Sequence, residues 1–109
     1  TTLNEIAEQS QVSIVLDETS VPVHEAVRNG CSFLGMDPLY LANEGKCICI
    51  VPEAHAEAAL EAMRRSPYGK EAARIGTVNE GKAQVALQTR IGGRRLLGML
   101  EGAQLPRIC

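Results

Sequence analysis

Apolar and polar residues alternate with a period that changes several times along the chain, and each change marks an element. Leu3, Ile6 and Ala7 share one face of a helix over residues 1–9. From Gln11 the period drops to two, with Val12, Ile14 and Leu16 on one side, which predicts a strand over 11–16. Asp17-Glu18-Thr19-Ser20 breaks it, and helical spacing returns over 23–34, with Ala26, Val27 and Cys31 or Leu34 inward and Gly35 as the stop. Asp37-Pro38 opens a turn, Leu39-Tyr40-Leu41-Ala42 forms a short helix or strand, and Asn43-Glu44-Gly45 turns the chain again. Lys46-Cys47-Ile48-Cys49-Ile50-Val51 is apolar almost throughout, the pattern of a central strand buried on both faces, and Pro52 ends it.

The strongest helical pattern covers 53–65, where Ala54, Ala58, Leu60 and Met63 form the apolar stripe and Glu61 and Arg65 an outer i,i+4 pair. Ser66-Pro67 offers an N-cap followed by proline at the first helical position, so a short helix is expected to about Ala73. Strands come next over 75–78 and 83–91, and Gly92-Gly93 folds the second back onto 94–97 as a hairpin. Strands and helices interleave, so the expected fold is an α/β (α+β) sandwich, a mixed sheet flanked by helices; the hairpin argues against a purely parallel sheet. Residues 1–101 form the domain and 102–109 a flexible tail.

A chain of 109 residues supports one domain with a modest core. The net charge of −2 offers no basic surplus for nucleic acid, and no apolar run approaches the roughly 20 residues that cross a bilayer. The first helix begins almost at Thr1, which reads as a fragment incomplete on its N-terminal side. Four cysteines in so apolar a chain do not imply a disulfide framework; free thiols fit a reducing cytoplasm. Cys47 and Cys49 share a strand face, but a metal site needs two further ligands, and neither His24 nor His55 stands at a recognisable spacing from one. Core packing is the better reading, with no metal. Gly92-Gly93-Arg94-Arg95 lacks the Lys-Ser/Thr of a phosphate loop and reads as a hairpin tip with solvated arginines.

The ending Leu105-Pro106-Arg107-Ile108-Cys109 carries the chemistry. A thiol on a short tail can swing between two sites with a group bound to it. Pro106 stiffens the tail, Leu105 and Ile108 give apolar grips, and Arg107 can bind a carboxylate or phosphate through two hydrogen bonds while favouring the nucleophilic thiolate of Cys109. Glu44, in the turn before the apolar run, is a candidate general base, although a plain polar turn fits the same spacing.

Three stretches together, Thr2-Leu3-Asn4-Glu5-Ile6-Ala7, Gly35-Met36-Asp37-Pro38-Leu39-Tyr40-Leu41-Ala42-Asn43-Glu44-Gly45-Lys46 and Pro106-Arg107-Ile108-Cys109, closely resemble the HypE family of hydrogenase-maturation carbamoyl dehydratases, within the aminoimidazole-ribonucleotide-synthetase-like (PurM-like) superfamily. The resemblance runs the length of the chain and implies a PurM-like C-terminal domain whose ATP- and Mg-binding N-terminal domain is absent. It implies that HypF loads a carbamoyl group on Cys109, that ATP-dependent dehydration turns it into thiocyanate with Glu44 as base, and that cyanide passes to iron held by HypC and HypD for the [NiFe]-hydrogenase centre. A homodimer is implied for the full-length protein, and inactivity for this fragment alone. The rivals are a docking module whose tail Pro106-Arg107-Ile108 is only a recognition peptide, and a domain of a related ATP-dependent synthetase, which needs no terminal cysteine.

Overall fold

A computed structural model of the chain describes residues 2–41 and 44–98. The tail and the domain boundary expected at 101 lie outside these residues, as does Asn43 of the Asn-Glu-Gly turn. Helix α1 (Thr2–Ser10) leads into strand β1 (Ser13–Asp17). Gln11 makes that corner in the left-handed region, with φ 53°, and its Nε2 donates to the Glu8 carbonyl at 2.6 Å. Val12 N–H donates to the Ala7 carbonyl at 3.1 Å, so helix and strand meet at a fixed angle. Ile14 and Leu16 are buried as the alternation requires.

β1 lies inside a four-stranded mixed sheet of order β2-β1-β3-β4, formed with β2 (Gly76–Asn79), β3 (Gln84–Gln88) and β4 (Arg94–Leu96). β1 runs antiparallel to β2 and parallel to β3, with Ile14 opposite Val78 and Val85. β3 turns back on β4 through Thr89–Gly93, where Thr89 N–H donates to the Gly93 carbonyl at 2.8 Å and Gly92 takes φ 91°. The hairpin and the mixed α+β sheet agree with the sequence. The core gathers Ala7 of α1, Ile14 and Leu16 of β1, Val85 and Leu87 of β3, and Leu97, with Leu3, Ile6, Leu39 and Tyr40 packed on it. Complete burial of Leu87 and Val85 contributes about 1.5–3 kcal/mol each.

At the end of β1, Asp17 organises the break. Its carboxylate accepts from the Thr19 N–H (2.9 Å), the Thr19 hydroxyl (2.7 Å) and the Ser20 hydroxyl (3.1 Å). These bonds, the Thr19 hydroxyl's first, hold the Asp17 pKa below the ordinary aspartate value.

Helix α2 (Glu25–Leu34) ends at Gly35, whose φ of 69° is the left-handed stop the sequence signalled. Its inward face is narrower than expected: Cys31 is buried, but Ala26, Val27 and Leu34 are exposed. Helix α3 (Ala56–Arg65) comes after a single 3-10 turn, Glu53–His55, and carries the expected Glu61–Arg65 pair at 2.8 Å. Its stripe is less covered than predicted. Leu60 and Met63 are half-buried, while Ala54, on the preceding turn, and Ala58 are exposed.

Two expectations are corrected. Residues 46–51 are not a central strand: they belong to no helix or strand, and only Val51 is even half-buried. A strand exists by pairing, and among the described residues the central place is taken by β3, whose Val85, Ala86 and Leu87 are all buried. Cys47 and Cys49 are consequently exposed free thiols rather than core side chains. Likewise, 66–73 is a pair of turns rather than a short helix, with Gly69 N–H donating to Ser66 O and Ala72 N–H to Gly69 O, both at 3.0 Å. The Ser66 hydroxyl still accepts a local bond, from Tyr68 N–H at 3.3 Å. Gly69 is pressed against the Met63 carbonyl, in a space that admits no Cβ, so the chain folds sharply back on α3 instead of starting a new helix.

Candidate functional site

The segment that bears Glu44 is built from its N-terminal side. Asp37 caps the single-turn 3-10 helix Pro38–Tyr40: its Oδ1 accepts from Leu39 N–H at 3.0 Å, and Pro38 supplies the preset φ of a first helical position. Its other oxygen, Oδ2, accepts from Arg95 Nη1 at 2.9 Å, across 58 residues of sequence. Three residues on, the Tyr40 hydroxyl donates to the Gly98 carbonyl at 2.8 Å, again across 58 residues. Leu97 is buried, and its N–H donates to the Val85 carbonyl at 2.8 Å. The end of β4, together with Leu97 and Gly98 just beyond it, is therefore clamped onto the short helix that leads to Glu44.

Simple chain lengths show what the clamp permits. Glu44 is four residues past Tyr40, within at most ~14 Å of chain. Cys109 is eleven residues past Gly98, a span that cannot exceed ~40 Å. These upper bounds are compatible with a meeting of the Cys109 thiol and Glu44. Glu44 is exposed and holds no ion pair or side-chain hydrogen bond with another described residue. Gly45 beside it takes φ 75°, so the turn needs glycine there.

Sequence reasoning missed Asp37, Tyr40 and Arg95 as the parts that hold this arrangement. Arg95 reads as a solvated hairpin arginine, yet it is the Asp37 partner; Arg94 bonds Gln88 Oε1 through Nε at 3.0 Å. The local signal, Asp-Pro before a short helix, gives the cap but not the partners 58 residues away. Removing the clamp hydroxyl with Tyr40→Phe is expected to cost about 0.5–1.5 kcal/mol, read as a lower urea midpoint with unchanged slope.

A cavity of about 310 Å³ is lined by residues that include Glu18, Arg28, Asp37, Leu87, Arg90 and Arg95. Glu44 does not line it. His24 and His55 are exposed, and among the described residues no three His, Cys, Asp or Glu side chains stand together as a metal set. No described helix is long and apolar enough to cross a membrane.

Residues 1–88 match the family model "AIR synthase related protein, C-terminal domain". The chain is 55% identical over 99% of its length to a carbamoyl dehydratase HypE of Azotobacter vinelandii, and 54% identical over its whole length to one of Cupriavidus necator. It spans about a third of those relatives, 32% and 31% of their lengths. Among solved structures, a hydrogenase maturation protein HypE superposes with a TM-score of 0.92 at 62% identity, covering the whole of this chain and 36% of that one. A HypE in complex with ATP gives 0.88 and 58%, covering 94% of this chain and 33% of that one. A HypE–HypF complex gives 0.83 and 43%, covering 88% and 31%. The chain belongs to the AIR synthase related protein family as a C-terminal domain of that type, and its relatives within the family are HypE carbamoyl dehydratases.

Proposed function

We propose that this chain is the thiol-bearing part of an ATP-dependent carbamoyl dehydratase that makes cyanide for a hydrogenase iron centre. The observation that carries the reading is the likeness along the whole chain to proteins named carbamoyl dehydratase HypE. The clamp of Tyr40 on Gly98 supports it, because it roots the segment leading to Cys109 beside the segment leading to Glu44.

In this reading HypF delivers a carbamoyl group to the Cys109 sulfur, the tail residues Pro106, Arg107 and Ile108 serving as its grip. The carbamoyl oxygen is a poor leaving group, and the γ-phosphoryl group of ATP is transferred to it, releasing ADP as one N–H proton departs. The C–O bond then breaks and inorganic phosphate leaves with the electron pair. Glu44 takes the remaining N–H proton, the nitrogen electrons close the C≡N bond, and Cys109 carries a thiocyanate. General-base assistance of this kind contributes typically 10²–10⁴-fold. Releasing the cyano group as cyanide requires two electrons to cleave the S–C bond, which the accepting side, HypC–HypD with its iron, must supply.

ATP enters as a substrate. Gly92-Gly93 forms the tip of the β3–β4 hairpin. In this reading ATP and Mg are bound mainly by polypeptide outside these 109 residues, and the full-length protein is a homodimer. The 109 residues alone are expected to leave a carbamoyl group unconverted. The test is intact-mass spectrometry of the full-length protein after incubation with HypF, carbamoyl phosphate and ATP. A carbamoyl adduct that loses the elements of water supports the reading. An unmodified protein under conditions that load a HypE control contradicts it.

A further inference from the structure

The carboxyl ends of β1 and β3 lie side by side, because the two strands run parallel and pair Asp17 with Gln88. Just beyond that pair, Glu18 N–H donates to the Gln88 carbonyl at 3.0 Å. In open α/β sheets, ligands bind outside the carboxyl ends of the strands. The cavity of about 310 Å³ stands at this place: Glu18, next after β1, and Arg90, shortly after β3, both line it, together with Arg95 of β4 and Arg28 of α2. Its charged residues are Arg28, Arg90 and Arg95 against Glu18 and Asp37, which leaves one positive charge in excess. Both carboxylate oxygens of Asp37 are engaged, one by Leu39 N–H and the other by Arg95. Glu18 stands 3.7 Å from Arg90 Nε, too far for a hydrogen bond. Arg28 holds no ion pair and no side-chain hydrogen bond with another described residue.

The excess charge selects the ligand. A carboxylate meets it one for one and takes two parallel hydrogen bonds from a guanidinium. A phosphate dianion would exceed it and lie among the like charges of Glu18 and Asp37. Val21, Val23, Leu39 and Leu87 also line the cavity, so the ligand carries a hydrocarbon part as well. The volume stands at the lower end of the roughly 300–1,000 Å³ of ligand pockets, so the ligand is small. We propose that the cavity at the carboxyl ends of β1 and β3 binds a small monocarboxylate with a short aliphatic stem, its charge held by Arg28 and Arg90. The inference uses neither Cys109 nor Glu44, and it can fail while the dehydratase reading holds.

Butyrate is the probe. Equilibrium dialysis of radiolabelled butyrate against the full-length protein, without nucleotide, is expected to show one saturable site per chain. Arg28→Gln is expected to weaken that binding by about 10–100-fold, the loss of a hydrogen bond to a charged group. The unfolding midpoint should not move, because Arg28 is exposed and bonds no other described side chain. Unlabelled propionate should displace the label, whereas butyramide, which has the shape without the charge, should not. The absence of a saturable site would overturn the proposal, and so would undiminished binding in Arg28→Gln or displacement by butyramide. Inorganic phosphate that displaces the label at lower concentration than propionate would overturn it also, by assigning the cavity to a dianion. Should Arg28→Gln not fold, Arg90→Gln is read by the same dialysis with the same outcomes.

Discussion

A full-length protein with Cys109→Ser is expected to take up no carbamoyl group at all. The reactive form of cysteine is the thiolate, present at a few per cent near neutral pH at an ordinary thiol pKa, whereas a serine hydroxyl has no comparable population. The substitution replaces one atom and leaves the reach of the tail unchanged, so a loss reports on the sulfur. The other cysteines are internal controls of different kinds: Cys31 is buried, and Cys47 and Cys49 are exposed. Incubation with HypF, carbamoyl phosphate and ATP before intact-mass measurement reads the result. An adduct that survives Cys109→Ser would move the chemistry to another position, with Cys47 and Cys49 the first to map. The docking rival predicts the reverse pattern, in which Cys109→Ser matures hydrogenase normally and Ile108→Asp does not.

The elements legible in the sequence are those whose causes are local. Gly35 stops α2 in the left-handed conformation, and Ile14 and Leu16 share the buried face of β1 because a strand alternates. Asp17 breaks that strand because its carboxylate gathers the next two hydroxyls. Residues 46–51 are the instructive exception. Their apolarity is a demand for burial on both faces, but a demand does not say who meets it. β3 satisfies the same demand inside the sheet, and its buried Val85-Ala86-Leu87 triplet is the less conspicuous pattern. The departure at 66–73 has another cause. The Ser-Pro signal is real, and the Ser66 hydroxyl does accept a bond, but Gly69 folding against the Met63 carbonyl decides the path, and that approach is tertiary.

The candidate site divides in the same way. Glu44 and the tail are legible as motifs. Asp37, Tyr40 and Arg95, which hold the short helix and the root of the tail together, are not, since each bond spans 58 residues. The clamp gives the motif a geometric meaning: it joins two segments that the sequence keeps far apart. A base on one and a thiol on the other need such a joint, because a freely placed carboxylate would meet the carbamoyl nitrogen only rarely.

Glu44→Gln in the full-length protein is therefore expected to slow conversion of the carbamoyl adduct to the cyano adduct by about 10²–10⁴-fold, while leaving the loading of Cys109 unchanged. Glutamine keeps the size, the hydrogen-bonding reach and the turn, whose conformational requirement rests on Gly45 at φ 75°. It removes only the capacity to take a proton. Because Glu44 is exposed and unpaired among the described residues, its replacement should not alter the unfolding midpoint, so any loss of conversion is chemical. The measurement is a single-turnover time course: protein preloaded by HypF is mixed with ATP, quenched, and weighed for the carbamoyl and cyano species. The plain-turn reading of Asn43-Glu44-Gly45 predicts wild-type conversion in Glu44→Gln, since a turn needs no carboxylate. A variant that loads normally and stalls as the carbamoyl form separates the two readings, because it places the defect at proton removal and not at the arm's delivery.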